Sequence, residues 1–160
     1  MCIPQSNNVN PYFLLKGGFM RGKCLCGQIE FEIVGTTPKL YQCHCSLCRK
    51  QSGASSNTAA IIDKAHFRWV DGQDHISSWV KDTGFRSDFC SNCGSPVPNP
   101  LGSRPYYWVP VGLLEGDVQL TVSAHLFVGS RASWDVITSP GKQYETKPEL
   151  HELLRLDAEA

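Results

Sequence analysis

"CLCGQIEFEIVG", residues 24–35, joins two signals that together decide the architecture: a pair of thiols with a glycine behind it, and an alternating apolar run. Ile29, Phe31 and Ile33 are separated by acidic residues, the period of a strand with one buried face, and Gly35 punctuates its end. Cys24 and Cys26 stand one residue apart with Gly27 next. In that spacing a tight turn can aim two sulfurs at one ion, because glycine accepts the positive φ the turn needs. A strand growing directly out of such a turn predicts a small β domain stapled by metal.

The complement of this turn lies far along the chain. Cys90 and Cys93 form a C-x-x-C pair followed by Gly94, and two such knuckles supply the four thiolates of a closed tetrahedral zinc site. That leaves Cys43, Cys45 and Cys48 together in "QCHCSLCRKQSG", residues 42–53, one ligand short of a closed shell. Seven of the eight cysteines fall in these clusters and no secretory leader is evident, so metal is read in preference to disulfides; Cys2 is read as a stray thiol. A redox disulfide at Cys90 and Cys93 lacks the strand and helix context of a thioredoxin-like unit, and the spacings do not match those of ferredoxin clusters. A histidine completing the three-cysteine set is the alternative for that cluster. His44, His66, His75 and His125 are the candidates, although His44, between two ligands, points away if the segment is extended.

Strand-length runs follow at "KLYQC", "SSNTAAII", "HFRWV", "HISSWV", "GFRSDFC", "YYWVPVG" and "AHLFV", which predicts a mainly β, mostly antiparallel domain. "SLCRKQS" reads as one short helical segment. Near the end, Thr146 and Glu149 have capping-box spacing and Leu150, Leu153 and Leu154 recur at helical intervals, predicting a terminal helix. The expected organisation is an N-terminal extension over 1–19, a zinc-binding domain over 20–140 and a tail with a short helix over 141–160. With 160 residues, 41% of them hydrophobic, one domain is the expectation. Lys plus Arg and Asp plus Glu balance at 15 each and the basic residues are scattered, so neither nucleic acid nor a membrane is an expected partner. "NPYFLLKGGF" is too short for a membrane span or a signal core, and a cytoplasmic location is expected.

"CLCGQIEFE", "CHCSLCRKQSG", "FCSNCGSPV" and "AHLFVGSRASW", in that order, resemble the glutathione-dependent formaldehyde-activating enzyme (Gfa) family, which includes the centromere protein V relatives. The resemblance runs from about Gly22 to Trp134. It implies a β-tent fold of small antiparallel sheets stapled by zinc. It also implies two zinc ions per chain, a structural one at Cys24, Cys26, Cys90 and Cys93 and a catalytic one at Cys43, Cys45 and Cys48. The activity implied is addition of the glutathione thiol to formaldehyde, giving S-hydroxymethylglutathione.

Three thiolates make zinc a weak Lewis acid toward water but leave a position suited to soft sulfur, and a thiol bound there is deprotonated. The expected function is therefore that of a carbon–sulfur lyase or thiol-adduct enzyme, with glutathione or a similar thiol as co-substrate and an aldehyde as partner. The alternative is a non-catalytic zinc-binding interaction module of the same fold. Arg49 and Lys50, next to Cys48, are candidates to offset the thiolate charge, and Ser52 and Gly53 to bring backbone near the metal. His125 and Trp134 are read as core residues. The oligomeric state, a homodimer included, is left open.

Overall fold

Ile29, Phe31 and Ile33 are fully buried, and the alternation carrying two of them resolves into β2 (Glu30–Val34). Strand β1 (Phe19–Lys23) pairs with β2 antiparallel, setting Met20 against Ile33 and Gly22 against Phe31. Space requires the glycine, since a Cβ at Gly22 would come within 2.3 Å of the Phe31 ring. β5 (Phe67–Asp71) pairs with the other edge of β2, completing a three-stranded sheet. Glu32, buried in its middle, accepts from Arg21 at 3.0 Å and from Arg68 at 2.5 Å. Burial opposes its charge, but these hydrogen bonds win and hold its carboxyl below the ordinary range.

The computed structural model describes residues 18–116 and 119–155. Most of the expected 1–19 extension, including Cys2, lies outside them, while Phe19 belongs to β1. A second, six-stranded sheet is built from β3 (Leu40–Cys43), β4 (Asn57–Asp63), β8 (Asn99–Pro100), β9 (Tyr106–Pro110), β10 (Val122–Leu126) and β11 (Lys142–Gln143), in the order β11-β10-β3-β4-β9-β8. β10 runs parallel to both of its neighbours, a departure from the small antiparallel sheets expected. The reason is connectivity: β10 pairs with β3 and not with β9, the strand before it in the chain, so no hairpin joins β10 to its neighbour. β6 (Ile76–Val80) and β7 (Arg86–Cys90) form a separate antiparallel hairpin.

The main core joins the first sheet to one face of the second through Met20, Phe31, Ile33, Leu40, Ala60, Ile62, Phe67 and Val109. Phe67 stacks on Tyr107 at 4.2 Å and on Phe31 at 5.5 Å. Each such aromatic or aliphatic side chain contributes about 1.5–3 kcal/mol by leaving water. A second cluster gathers Cys24, Ile29, Cys90 and Val97, and a third Cys43, Ala124 and Leu126. Metal-type residues therefore lie inside both smaller cores.

Helix α1 (Ser46–Ser52) has the predicted bounds, with Gly53 ending it in the left-handed region at φ 68°. Helix α2 (Leu150–Arg155) starts later than the capping box implied. The Glu149 carbonyl accepts from Glu152 N–H at 3.0 Å and Leu153 N–H at 3.1 Å, so Glu149 flanks the helix. Pro148 explains the shift, because a proline disfavours helical backbone at the residue before it and Lys147 would have had to be helical. Thr146 instead gives its carbonyl to Phe127 N–H at 2.8 Å. No helix among the described residues is long and apolar enough to cross a membrane.

Candidate metal centres

Two knuckles meet at the first centre. After β1, Gly27 N–H closes on the Cys24 carbonyl at 2.9 Å with φ 79°, and Ile29 N–H points at the Cys24 sulfur at 3.3 Å. After β7, Gly94 N–H closes on the Cys90 carbonyl at 2.8 Å with φ 75°. Leu25 N–H donates to Ser95 Oγ at 3.0 Å, tying one knuckle to the other. Cys26 Sγ lies 3.5 Å from Cys24 Sγ and 3.8 Å from Cys90 Sγ, and all four sulfurs fall within 4.8 Å of one another. A disulfide needs about 2.05 Å, whereas four sulfurs at about 2.3 Å from a zinc ion stand about 3.8 Å apart along a tetrahedral edge. The donor set fits zinc. Without a cation the thiols divide: hydrogen bonding by Ser95 takes Cys93 down to about 5, while burial pushes Cys90 up to about 11.

The second centre is built over six residues where β3 runs into α1. Cys43 is the last residue of β3, Cys45 caps α1 with its sulfur 3.5 Å from Cys48 N–H, and Cys48 sits in the first turn. The three sulfurs lie within 4.8 Å of one another, and among the described residues no His, Asp or Glu joins them. They cannot ionise together unaided. Hydrogen bonds from Cys43 and Cys48 take Cys45 down to about 2, the bond to Cys45 leaves Cys43 up at about 11, and sharing with both neighbours pushes Cys48 up as well. A soft divalent cation bound there would allow all three to be thiolates at neutral pH.

His44 is buried and its ring is spoken for on both sides. Its Nδ1 lies 2.6 Å from Asp135 Oδ2 and its Nε2 3.1 Å from Nδ1 of His125. His125 Nε2 lies 3.2 Å from the Ser139 carbonyl and 3.1 Å from that of Pro140. A proton on His125 Nε2 satisfies those carbonyls, and the contact between His125 Nδ1 and His44 Nε2 needs one more proton, shared by the two rings. One further proton then lies between His44 and Asp135. Sequence reasoning found His44 but missed Asp135, Ser139 and Pro140, which follow the quoted "AHLFVGSRASW" motif and approach only through the fold.

His66 Nδ1 donates to the Val34 carbonyl at 2.8 Å, and His75 is exposed in the turn before β6. Arg49 Nη1 donates to the carbonyls of His44 at 2.9 Å and Ser130 at 2.5 Å, clamping the loop beside the sulfurs to the turn after β10. Lys50 is exposed. Ser52 Oγ donates to the Ser56 carbonyl at 3.0 Å, and Gly53 faces open space. His125 is fully buried as expected, but Trp134 is 68% exposed, correcting its reading as a core residue. The turn over 131–135 carries that indole to the surface while Asp135 reaches inward to His44.

A sequence model described as glutathione-dependent formaldehyde-activating enzyme matches residues 19–130, which contain all seven clustered cysteines. The chain belongs to this family. A Halomonas elongata protein carrying a Gfa-type name is 32% identical over 84 residues, 49% of this chain and 54% of that protein. The chain thus spans about half the length of that relative. An uncharacterized lyase of Schizosaccharomyces pombe is 24% identical over 112 residues, 69% of this chain and 79% of that one. A crystal structure of a Rhodobacter sphaeroides protein superposes with a TM-score of 0.51 at 28% identity, covering 62% of this chain and 92% of the other. The Gfa match ends before Asp135, β11 and α2.

Proposed function

We propose that the chain is a carbon–sulfur lyase that joins an external thiol of the glutathione type to an aldehyde carbon and cleaves the same bond in reverse. In the forward direction the thiol sulfur bonds to the carbonyl carbon and the thiol proton ends on the carbonyl oxygen; cleavage returns it. The observation that carries the reading is the contrast in donor number: four sulfurs in one cluster and three in the other. A zinc ion held by Cys43, Cys45 and Cys48 would supply soft Lewis acidity that keeps the incoming thiol deprotonated at neutral pH.

The chain's own residues do the rest. Cys43 and Cys45 flank His44, whose ring is held by Asp135 and His125, so the backbone carrying two of the three sulfurs is fixed against rotation. Arg49 holds the His44 carbonyl from the other side. Leu126 and Ala124 pack with Cys43, and partly buried Tyr144 and Leu153 pack against that group. Such preorganisation contributes through proximity, because the two reactants meet in one place instead of by diffusion. Cys24, Cys26, Cys90 and Cys93 would hold a second, structural zinc ion.

The test is turnover of the adduct. Purified, zinc-replete protein should accelerate exchange between glutathione plus formaldehyde and S-hydroxymethylglutathione, followed by NMR line shapes. Cys48→Ser should abolish the acceleration. An exchange rate equal to the buffer control at millimolar glutathione would refute the lyase reading and favour a zinc-binding interaction module.

A further inference from the structure

Helix α1 carries Cys48 but buries no side chain of its own, and a helix of seven residues is marginal in water without tertiary support. Its position is therefore set by the tethers its polar residues make. Arg49 holds one side through the carbonyls of His44 and Ser130. Gln51 holds another. Its Nε2 donates to Ser87 Oγ at 3.0 Å and its Oε1 accepts from Asn57 Nδ2 at 2.9 Å, so both ends of the amide are used. Cys48 and Gln51 stand at i and i+3, which makes them neighbours on the helix surface.

The two partners of Gln51 lead in different directions. Asn57 is buried and opens β4, where register pairs it with Cys43, so this arm returns to the three-cysteine centre. Ser87 lies on β7, the strand that ends at Cys90 of the four-cysteine centre. The hairpin of β6 and β7 belongs to neither larger sheet, and a two-stranded hairpin alone is marginally stable at best. Its anchors gather at the Cys90 end. Val97 N–H donates to the Asp88 carbonyl at 2.9 Å, Cys90 N–H to the Ser95 carbonyl at 2.9 Å and Ser91 N–H to the His75 carbonyl at 2.8 Å. Among the hydrogen bonds of the described residues, the one from Gln51 to Ser87 joins α1 to this hairpin.

We propose that Gln51 is a positioning residue that ties Cys48 to the strand carrying Cys90, so that order at the four-cysteine centre supports metal binding at the three-cysteine centre. This rests on the two-zinc part of the reading above and not on its aldehyde chemistry. Cys90 held in a closed shell fixes β7 and with it Ser87; Ser87 holds Gln51, and Gln51 holds the turn of α1 that carries Cys48. Without the link, α1 and its thiol sample more positions, and ordering them when metal binds costs affinity. Linkage makes such support mutual, and it is felt by the ion that binds second, the one held by three sulfurs. The net contribution of one hydrogen bond corresponds to about two- to tenfold in that affinity.

Three variants of the full chain test it: Gln51→Ala; Ser87→Ala, which removes the link without altering α1 or either cluster; and Ser87→Thr, which keeps the hydroxyl. Each is loaded with zinc and exposed to a graded chelator, and alkylation by iodoacetamide, mapped by mass spectrometry, reports which cysteines have been released. In Gln51→Ala and Ser87→Ala, Cys45 and Cys48 should become reactive at about two- to tenfold lower chelator, while Cys26 and Cys93 keep the native midpoint. Ser87→Thr should behave as the native chain. Weakening in Gln51→Ala alone would mean that Gln51 acts only through Asn57, and overturns the tie to β7. Equal weakening at both clusters would be a general loss of stability and overturns it too, as does no change in either variant. A native chain that holds no ion at Cys43, Cys45 and Cys48 removes the two-zinc reading and the proposal with it. Because the readout is metal release, absence of aldehyde turnover bears on the lyase reading alone.

Discussion

The two cysteine centres use the same atom type and opposite construction. The four-cysteine centre draws on two segments 64 residues apart, Cys26 and Cys90 meeting at 3.8 Å, and its buried members belong to a hydrophobic cluster with Ile29 and Val97. The three-cysteine centre is local, spelled out between Cys43 and Cys48, and its supports come from afar: Asp135, His125, Tyr144 and Leu153. A ligand set that closes a long loop acts as a staple, whereas a local set supported by distant residues can lose its ion without opening the fold. On the proposed reading, this difference in construction goes with a difference in role, stabilising at the first centre and chemical at the second.

The largest expected effect breaks the staple. Cys90→Ser should lose one zinc equivalent and much of the fold, because binding of a structural zinc ion is folding free energy on the order of 10 kcal/mol. Metal analysis and circular dichroism check it together, and a folded variant retaining both ions would erase the distinction. Cys45→Ser should instead keep its near-native spectrum while losing the second zinc equivalent and adduct turnover. Loss of both ions in one cooperative step would mean that the centres are not separable.

A smaller effect is expected one shell out. Asp135→Ala leaves the buried His44 ring without its 2.6 Å partner, and because His44 lies between two of the sulfurs without being a ligand, metal affinity should fall by less than the about 10- to 100-fold seen when a ligand's own partner is lost. Chelator competition should find the weakening at the second site alone, with the first unaffected. The smallest effect concerns acid. Glu32 has its carboxyl held low in the folded protein by Arg21 and Arg68, against the pull of burial. Its contribution is therefore present above the unfolded carboxylate value of about 4.3 and fades as pH falls through the lower folded value. Urea midpoints of the native chain and Glu32→Gln should differ at pH 7 and converge as pH drops below about 4. A difference that persists unchanged in acid would mean that Glu32 contributes by packing and not by charge.

Local patterns made much of this legible. Strand β2 and helix α1 were readable because alternation and a short polar helix with a glycine stop are properties of neighbouring residues. The grouping of the cysteines followed from spacing and count. β1 was hidden because Arg21, Gly22 and Lys23 dilute its pattern, and its glycine serves the Phe31 ring instead of a turn. β8 and β11, two residues each, carry no period at all. The start of α2 was misplaced because the restriction imposed by Pro148 outweighs the Thr146 and Glu149 spacing. The His44 pair with Asp135 joins residues 91 apart, and no local pattern announces it.

The most direct test of the central claim, that one centre is closed and the other open to an outside thiol, is zinc-edge X-ray absorption of the doubly loaded protein during a glutathione titration. The account predicts a mean of about 3.5 sulfurs per zinc at the outset, rising to about 4 as glutathione saturates the second centre. A mean of about 4 before any thiol is added, or one that does not move at millimolar glutathione, would contradict it.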